Sequence, residues 1–136
     1  MIHLRTYGLA IKLDFIAQPD DWFSCEVYVE VPGFQGSFSC WVWRRDLERF
    51  TSQLEEMISR IGEQSSARLE STEPGIAITL SMNDRGHIDG KYCLRNFDAP
   101  GSPTLSGAFD IDQTYLRPLL RDITNVLTEQ LQPPAE

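Results

Sequence analysis

"WFSCEVYVEVPGFQGSFSCWVW", residues 22–43, decides the fold. Two runs of alternating side chains flank Pro32 and Gly33. Proline fixes φ and glycine is free to take positive φ, so the pair reads as the two central residues of a tight turn. Val31 then pairs with Phe34 and the register follows. Val27 falls opposite Phe38, Cys25 opposite Cys40, and Phe23 opposite Val42, which makes one face wholly apolar. On the other face Trp22 lies opposite Trp43, Ser24 opposite Trp41, Glu26 opposite Ser39, Tyr28 opposite Ser37, and Glu30 opposite Gln35.

The period changes after Trp43. Leu47, Phe50, Leu54, Met57, Ile58 and Ile61 recur at spacings of three and four, one apolar stripe of a helix that Asp46 can cap and Gly62 can end. That stripe needs an apolar bed, and the Phe23/Cys25/Val27/Phe38/Cys40/Val42 face is the nearest.

Upstream, "MIHLRTYGLAIKLDF" alternates and reads as one strand, with Leu9, Ile11, Leu13 and Phe15 on its buried face. Downstream, "SARLEST" is a short strand and "GIAITLSM" carries Ile76, Ile78, Leu80 and Met82 on one side. A three-residue loop ending in Gly86 sets Met82 opposite Ile88, Ile78 opposite Tyr92 and Ile76 opposite Leu94. Leu105, Gly107, Phe109 and Ile111 mark a further strand. "DQTY" reads as a capped or 3₁₀ lead-in to a last helix bearing Leu116, Leu119, Leu120, Ile123, Leu127 and Leu131, because Pro118 fits only a first turn. The expected fold is α+β: an antiparallel sheet of about six or seven strands, order βββαββββα, with both helices on one face. Residues 1–131 form one domain, and 132–136 are a free tail.

The 136 residues suffice for a core without metal or disulfide staples. No apolar run approaches a membrane span, and the alternating N-terminus with Arg5, Lys12 and Asp14 is unlike a signal peptide, so a cytosolic protein is expected. Cys25, Cys40 and Cys93 are odd in number and lack C-x-x-C spacing, and His3 and His87 are the two imidazoles. Neither a disulfide framework nor a zinc site is expected. Twenty acidic against twelve basic residues give a net charge of −8, which repels nucleic acid, serves solubility and suits a basic partner.

Catalytic patterns fail on inspection. "GHIDGK", residues 86–91, has three residues between its glycines instead of four, has Tyr92 where a phosphate loop needs Ser or Thr, and continues as a strand. Cys93 with His87 or His3 lacks any sign of activation and reads as a structural thiol. Cys25 and Cys40 read as buried thiols facing each other. Asp112 is a helix lead-in cap, and Asp89, Asp98 and Asp110 are surface charge. Arg44 and Arg45 should pair with nearby acids. No catalytic residue, cofactor or metal is expected.

Three segments together carry a resemblance: "RRDLERFTSQLEEM", "ARLESTEPGIAITLSMNDRGHIDGKYCL" and "LSGAFDIDQTYLRPLL". With the "GF.G.F" hairpin before them, from about Asp21 to Leu127, the chain resembles the bacterial WapI-type immunity proteins and related uncharacterised small bacterial domains. The resemblance implies a non-catalytic cytosolic protein that binds and occludes a cognate toxin domain delivered by neighbouring cells, a nuclease being one such toxin. It implies no membrane or nucleic-acid partner and transfers no catalytic residue.

Trp22, Glu26, Tyr28, Glu30, Trp41 and Trp43 have the composition of a partner-binding face, with aromatic anchors among polar groups. Burial of the tryptophans by the protein's own structure or by a second copy is the reading the sequence favours, since tryptophans in sheets are usually covered. A small-molecule or peptide-binding module is the alternative function.

Overall fold

A computed structural model describes residues 1–129 of the chain. Eight strands and two helices follow in the order ββββαββββα: β1 Ile2–Thr6, β2 Leu9–Gln18, β3 Trp22–Val31, β4 Phe34–Trp43, α1 Arg44–Ser59, β5 Ser65–Glu70, β6 Ile76–Met82, β7 His87–Arg95, β8 Thr104–Asp112 and α2 Leu116–Glu129. The strands form two antiparallel sheets of four, β1-β2-β3-β4 and β5-β6-β7-β8, instead of the single sheet predicted.

The extra strand comes from the N-terminal run, which breaks at Tyr7 and Gly8. Gly8 takes φ 77°, and Thr6 pairs with Leu9, Leu4 with Ile11, and Ile2 with Leu13. The hairpin at Pro32 and Gly33 has the predicted register throughout, from Val31–Phe34 to Trp22–Trp43. Met82–Ile88, Ile78–Tyr92 and Ile76–Leu94 also pair as predicted. In that loop Asn83 Oδ1 accepts from the Arg85 and His87 amides, and Gly86 takes φ 82°. The segment 132–136 and Leu131 lie outside the described residues.

One continuous core joins the two sheets. Each contributes a single apolar face, and the apolar stripes of α1 and α2 join the same core. A small void of about 20 Å³ at the centre is lined from every side, by Ile2, Leu4, Ile11 and Leu13 of the first sheet, Leu69, Ile78 and Leu80 of the second, Phe50 of α1 and Leu119 of α2. The void is far smaller than a lost methyl-rich side chain would leave, so the interior is close-packed. At β7 and β8 that packing uses glycine. A Cβ on Gly90 would overlap the ring of Phe109 directly opposite, and one on Gly107 would stand 2.5 Å from Tyr92 Oη.

Three helix details differ from the sequence reading. Helix α1 starts at Arg44, and Asp46 is its third residue rather than its cap. Ile61 lies past the end of α1 and is exposed, so the stripe stops at Ile58. Val126 joins Leu116, Leu119 and Ile123 as a buried residue of α2, while Leu120 and Leu127 are partly buried. The lead-in to α2 is the expected 3₁₀ turn, Gln113–Tyr115, with Asp112 Oδ1 accepting from Thr114 N at 2.8 Å.

Candidate functional face

Alternation in β2, β3 and β4 sends every second side chain away from the core. Lys12, Asp14 and Ile16 of β2, Trp22, Glu26, Tyr28 and Glu30 of β3, and Trp41 and Trp43 of β4 therefore share the outer face of the first sheet. All six residues singled out from the sequence lie on it.

Its aromatic end is a packed cluster. Trp22 packs against Trp43 with ring centroids 3.5 Å apart and the rings tilted by 36°, and meets Trp41 edge-on at 6.3 Å. The Arg45 guanidinium sits 4.9 Å above the Trp43 ring, a cation–π contact. Trp43 Nε1 is buried with no acceptor among the described residues, which costs about 1 kcal/mol or more. Trp22 and Trp43 are thus half-buried by each other and by Arg45, whereas Trp41 and Tyr28 each remain 48 % exposed and Ile16 52 % exposed. The expectation that the protein's own structure covers the tryptophans therefore holds in part: Trp22 and Trp43 are covered by each other and by Arg45, and Trp41 is not.

The rest of the face is mainly acidic, with one base, Lys12, among Asp14, Glu26 and Glu30. Asp14 lies directly opposite Glu26, a like-charge pair that is unfavourable across a sheet. Glu26 Oε1 accepts from Ser39 Oγ at 2.6 Å, and Glu30 is exposed. A hollow of about 610 Å³ runs over Lys12, Asp14, Tyr28, Glu30, Gln35 and Ser37. A second, of about 520 Å³, opens between Trp22, Trp41, Asp20 and Glu73. Both are open to solvent and broad rather than enclosed. Ile16 and Asp14 were not singled out from the sequence. The strand register across the Pro19–Asp21 loop, with Gln18 opposite Trp22, is the signal that places them here.

The joint behind the face is held by Asp46, only 2 % exposed. Its Oδ2 accepts from Trp43 N at 3.1 Å and from Thr72 N at 2.9 Å, and its Oδ1 accepts from Thr72 Oγ1 at 2.7 Å. It therefore pins the end of β4, the first turn of α1 and the loop after β5 together. Arg44 reaches Glu48 at 3.9 Å and the carbonyl of Leu127 at 3.4 Å, so of the two arginines expected to meet acids, Arg44 does and Arg45 lies on Trp43.

Elsewhere the chemistry is sparse. Cys25 and Cys40 face each other across β3 and β4, both buried. The hydrogen bond with Cys40, together with burial, pushes the Cys25 thiol well above its ordinary range, which keeps it protonated and unreactive. Cys93 is exposed on the outer face of the second sheet. Residues 86–91 form the end of a turn and the start of β7, with no helix N-terminus to receive a phosphate. His87 Nε2 lies 3.2 Å from Asp89 Oδ1 and 3.1 Å from Asp110 Oδ1, and these three donor atoms could hold a cation. The imidazole already bridges the two carboxylates, which lie directly opposite each other. No helix among the described residues is long and apolar enough to cross a membrane.

Fold and face together define a two-sheet α+β protein that offers an open aromatic and acidic sheet surface rather than an enclosed cleft. The chain belongs to the immunity protein WapI-like family, whose model matches residues 2–130. Membership points to a toxin-neutralising role. No curated protein and no solved structure matches the chain.

Proposed function

We propose that this protein is a non-catalytic immunity protein that binds a cognate toxin domain in the cytosol and blocks it by occlusion, through the outer face of its first sheet. The observation that carries the reading is the exposed Trp41 and Tyr28, with half-buried Trp22 and Trp43 behind them, beside Asp14, Glu26 and Glu30 in a member of an immunity family. Exposed aromatics among polar groups make anchors, and a net charge of −8 steers a basic partner toward them. A nuclease, whose substrate groove is basic, is the toxin class this charge suits best. Residues 1–131 act as one binding domain in this reading.

The test is co-expression with the toxin domain encoded beside this chain. Protection and a co-purifying complex support the reading, and their absence overturns it for that pair. Trp41→Ala should weaken the complex about tenfold or more while leaving the melting temperature within a few degrees, because Trp41 is half-exposed. Trp43→Ala is a poorer probe, since it also removes the packing against Trp22 and the seat of Arg45.

A second reading, a small-molecule or peptide-binding module, draws on the hollow between Trp22 and Trp41. Its breadth and the acids Asp20 and Glu73 at its rim favour a protein surface over an apolar ligand, which would need enclosure.

A further inference from the structure

Four strand edges could in principle accept a further strand, and three of them carry a hydrogen bond from another element. The outer edge of β5 faces α1, where Gln53 Oε1 accepts from Arg68 N at 2.7 Å. The edges of β1 and β8 meet, with Thr6 Oγ1 donating to the Asp110 carbonyl at 3.1 Å. The fourth is β4. Along Phe34–Ser39 every residue but Phe38 is exposed, and no hydrogen bond from another element reaches this edge among the described residues.

The phase of the ladder identifies the open groups. Val31 and Phe34 close a two-residue turn, so Phe34, Gly36 and Phe38 direct their backbone groups at β3 and the residues between them direct theirs outward. Trp43 confirms this phase, because its N–H turns away from β3 to Asp46. Gln35, Ser37 and Ser39 therefore present free N–H and C=O groups. Natural edges of this length are usually blunted by charge or proline, yet residues 34–43 contain neither.

We infer that the open edge of β4 is completed by strand addition from an extended segment of the toxin domain, one that alternates basic and apolar side chains. This rests on the immunity reading and names how its partner docks. The alternation follows from what flanks the edge. On the outer side the incoming strand lies beside Gln35, Ser37 and Ser39, with Glu26 and Glu30 one strand further in and within reach of long basic side chains. On the inner side it meets Phe34, which is 68 % exposed, and half-buried Phe38. A second copy is a worse occupant. Antiparallel pairing of β4 with itself would bring no complementary charge to either edge and would join two chains of −8.

The probe is the catalytically inactivated toxin domain encoded beside this chain, mixed with the full protein. Hydrogen exchange at Gln35, Ser37 and Ser39 should slow at least about tenfold on complex formation. Ser37→Pro removes one outward N–H without touching the β3 ladder, so it should fold and lose about fiftyfold in affinity, whereas Ser37→Ala should stay within about threefold. A complex that forms without protection at these amides, or that tolerates Ser37→Pro, overturns strand addition and leaves the immunity reading standing. No complex with the wild type overturns both. Protection of the same amides in the chain alone, with a dimeric mass, assigns the edge to a second copy and also overturns the inference. Should Ser37→Pro fail to fold, the exchange measurement on the wild type decides.

Discussion

Replacing Asp46 by alanine should cost about 3 kcal/mol, and replacing it by asparagine about 1 kcal/mol. Three donors converge on the carboxylate: Trp43 N, Thr72 N and Thr72 Oγ1, at 3.1, 2.9 and 2.7 Å. Hydrogen bonds to a charged acceptor are each worth roughly 1.5–3 kcal/mol. Thr72 is exposed and recovers water when Asp46 is lost, so its two bonds count at a discount. The half-buried Trp43 N–H recovers less, and a further ~0.5 kcal/mol comes from the negative charge in the first turn of α1. Asparagine keeps the oxygen that serves both amides, and its NH₂ can donate to the Thr72 hydroxyl, which reverses role. What it loses is the charge. Thermal melts followed by circular dichroism would read these losses as drops of about 10 °C for Asp46→Ala and about 4 °C for Asp46→Asn. Equal losses for the two variants would refute the argument, since they would mean that charge rather than acceptor geometry holds the joint. A loss under about 0.5 kcal/mol for alanine would refute it from the other side.

The C-terminal sheet offers a packing test. Gly90→Ala places a methyl in the space of the Phe109 ring and should destabilise by about 2–3 kcal/mol in chemical denaturation; pairing it with Phe109→Leu should recover part of that loss. Acidification tests the lead-in to α2. The hydroxyl and amide of Thr114 bonding to the Asp112 carboxylate hold its pKa below the usual range, so its contribution is present at neutral pH and is lost as pH falls through the lowered folded value. The melting-temperature gap between wild type and Asp112→Ala should therefore narrow from pH 7 toward pH 3, and a gap that widens would contradict the assignment.

How far the sequence carried depends on which local signals are self-sufficient. The β3–β4 register was legible because Pro32 and Gly33 define the turn and both flanking runs alternate without error. The β1–β2 hairpin was missed although a signal exists. Ile2 and Leu4 are apolar at even positions and Leu9, Ile11 and Leu13 at odd ones, and that change of phase at Tyr7–Gly8 is what a two-residue turn produces. The division into two sheets has no comparable local sign. It depends on α1 lying against the edge of β5, where Gln53 takes the Arg68 amide, and such a contact is tertiary. Asp46 was read in part, since its carboxylate does take the Trp43 amide at the start of α1. A first-turn carboxylate looks like a cap, and only the fold brings Thr72 to it.

The two outer sheet faces of this molecule form an internal comparison. Both are solvent-facing and both carry a like-charge pair in register, Asp89 with Asp110 on the second sheet and Asp14 with Glu26 on the first. On the second sheet His87 stands between the carboxylates, and Arg68 pairs with Glu70 at 2.8 Å. On the first sheet Asp14 and Glu26 form no ion pair among the described residues, and the surface beside them carries tryptophans, a tyrosine and an isoleucine. Solubility alone would treat the two faces alike. In the proposed reading, a surface that keeps its repulsion and its apolar area while the opposite one resolves them serves contact with something basic and partly apolar. The open edge of β4 borders that surface and not the other.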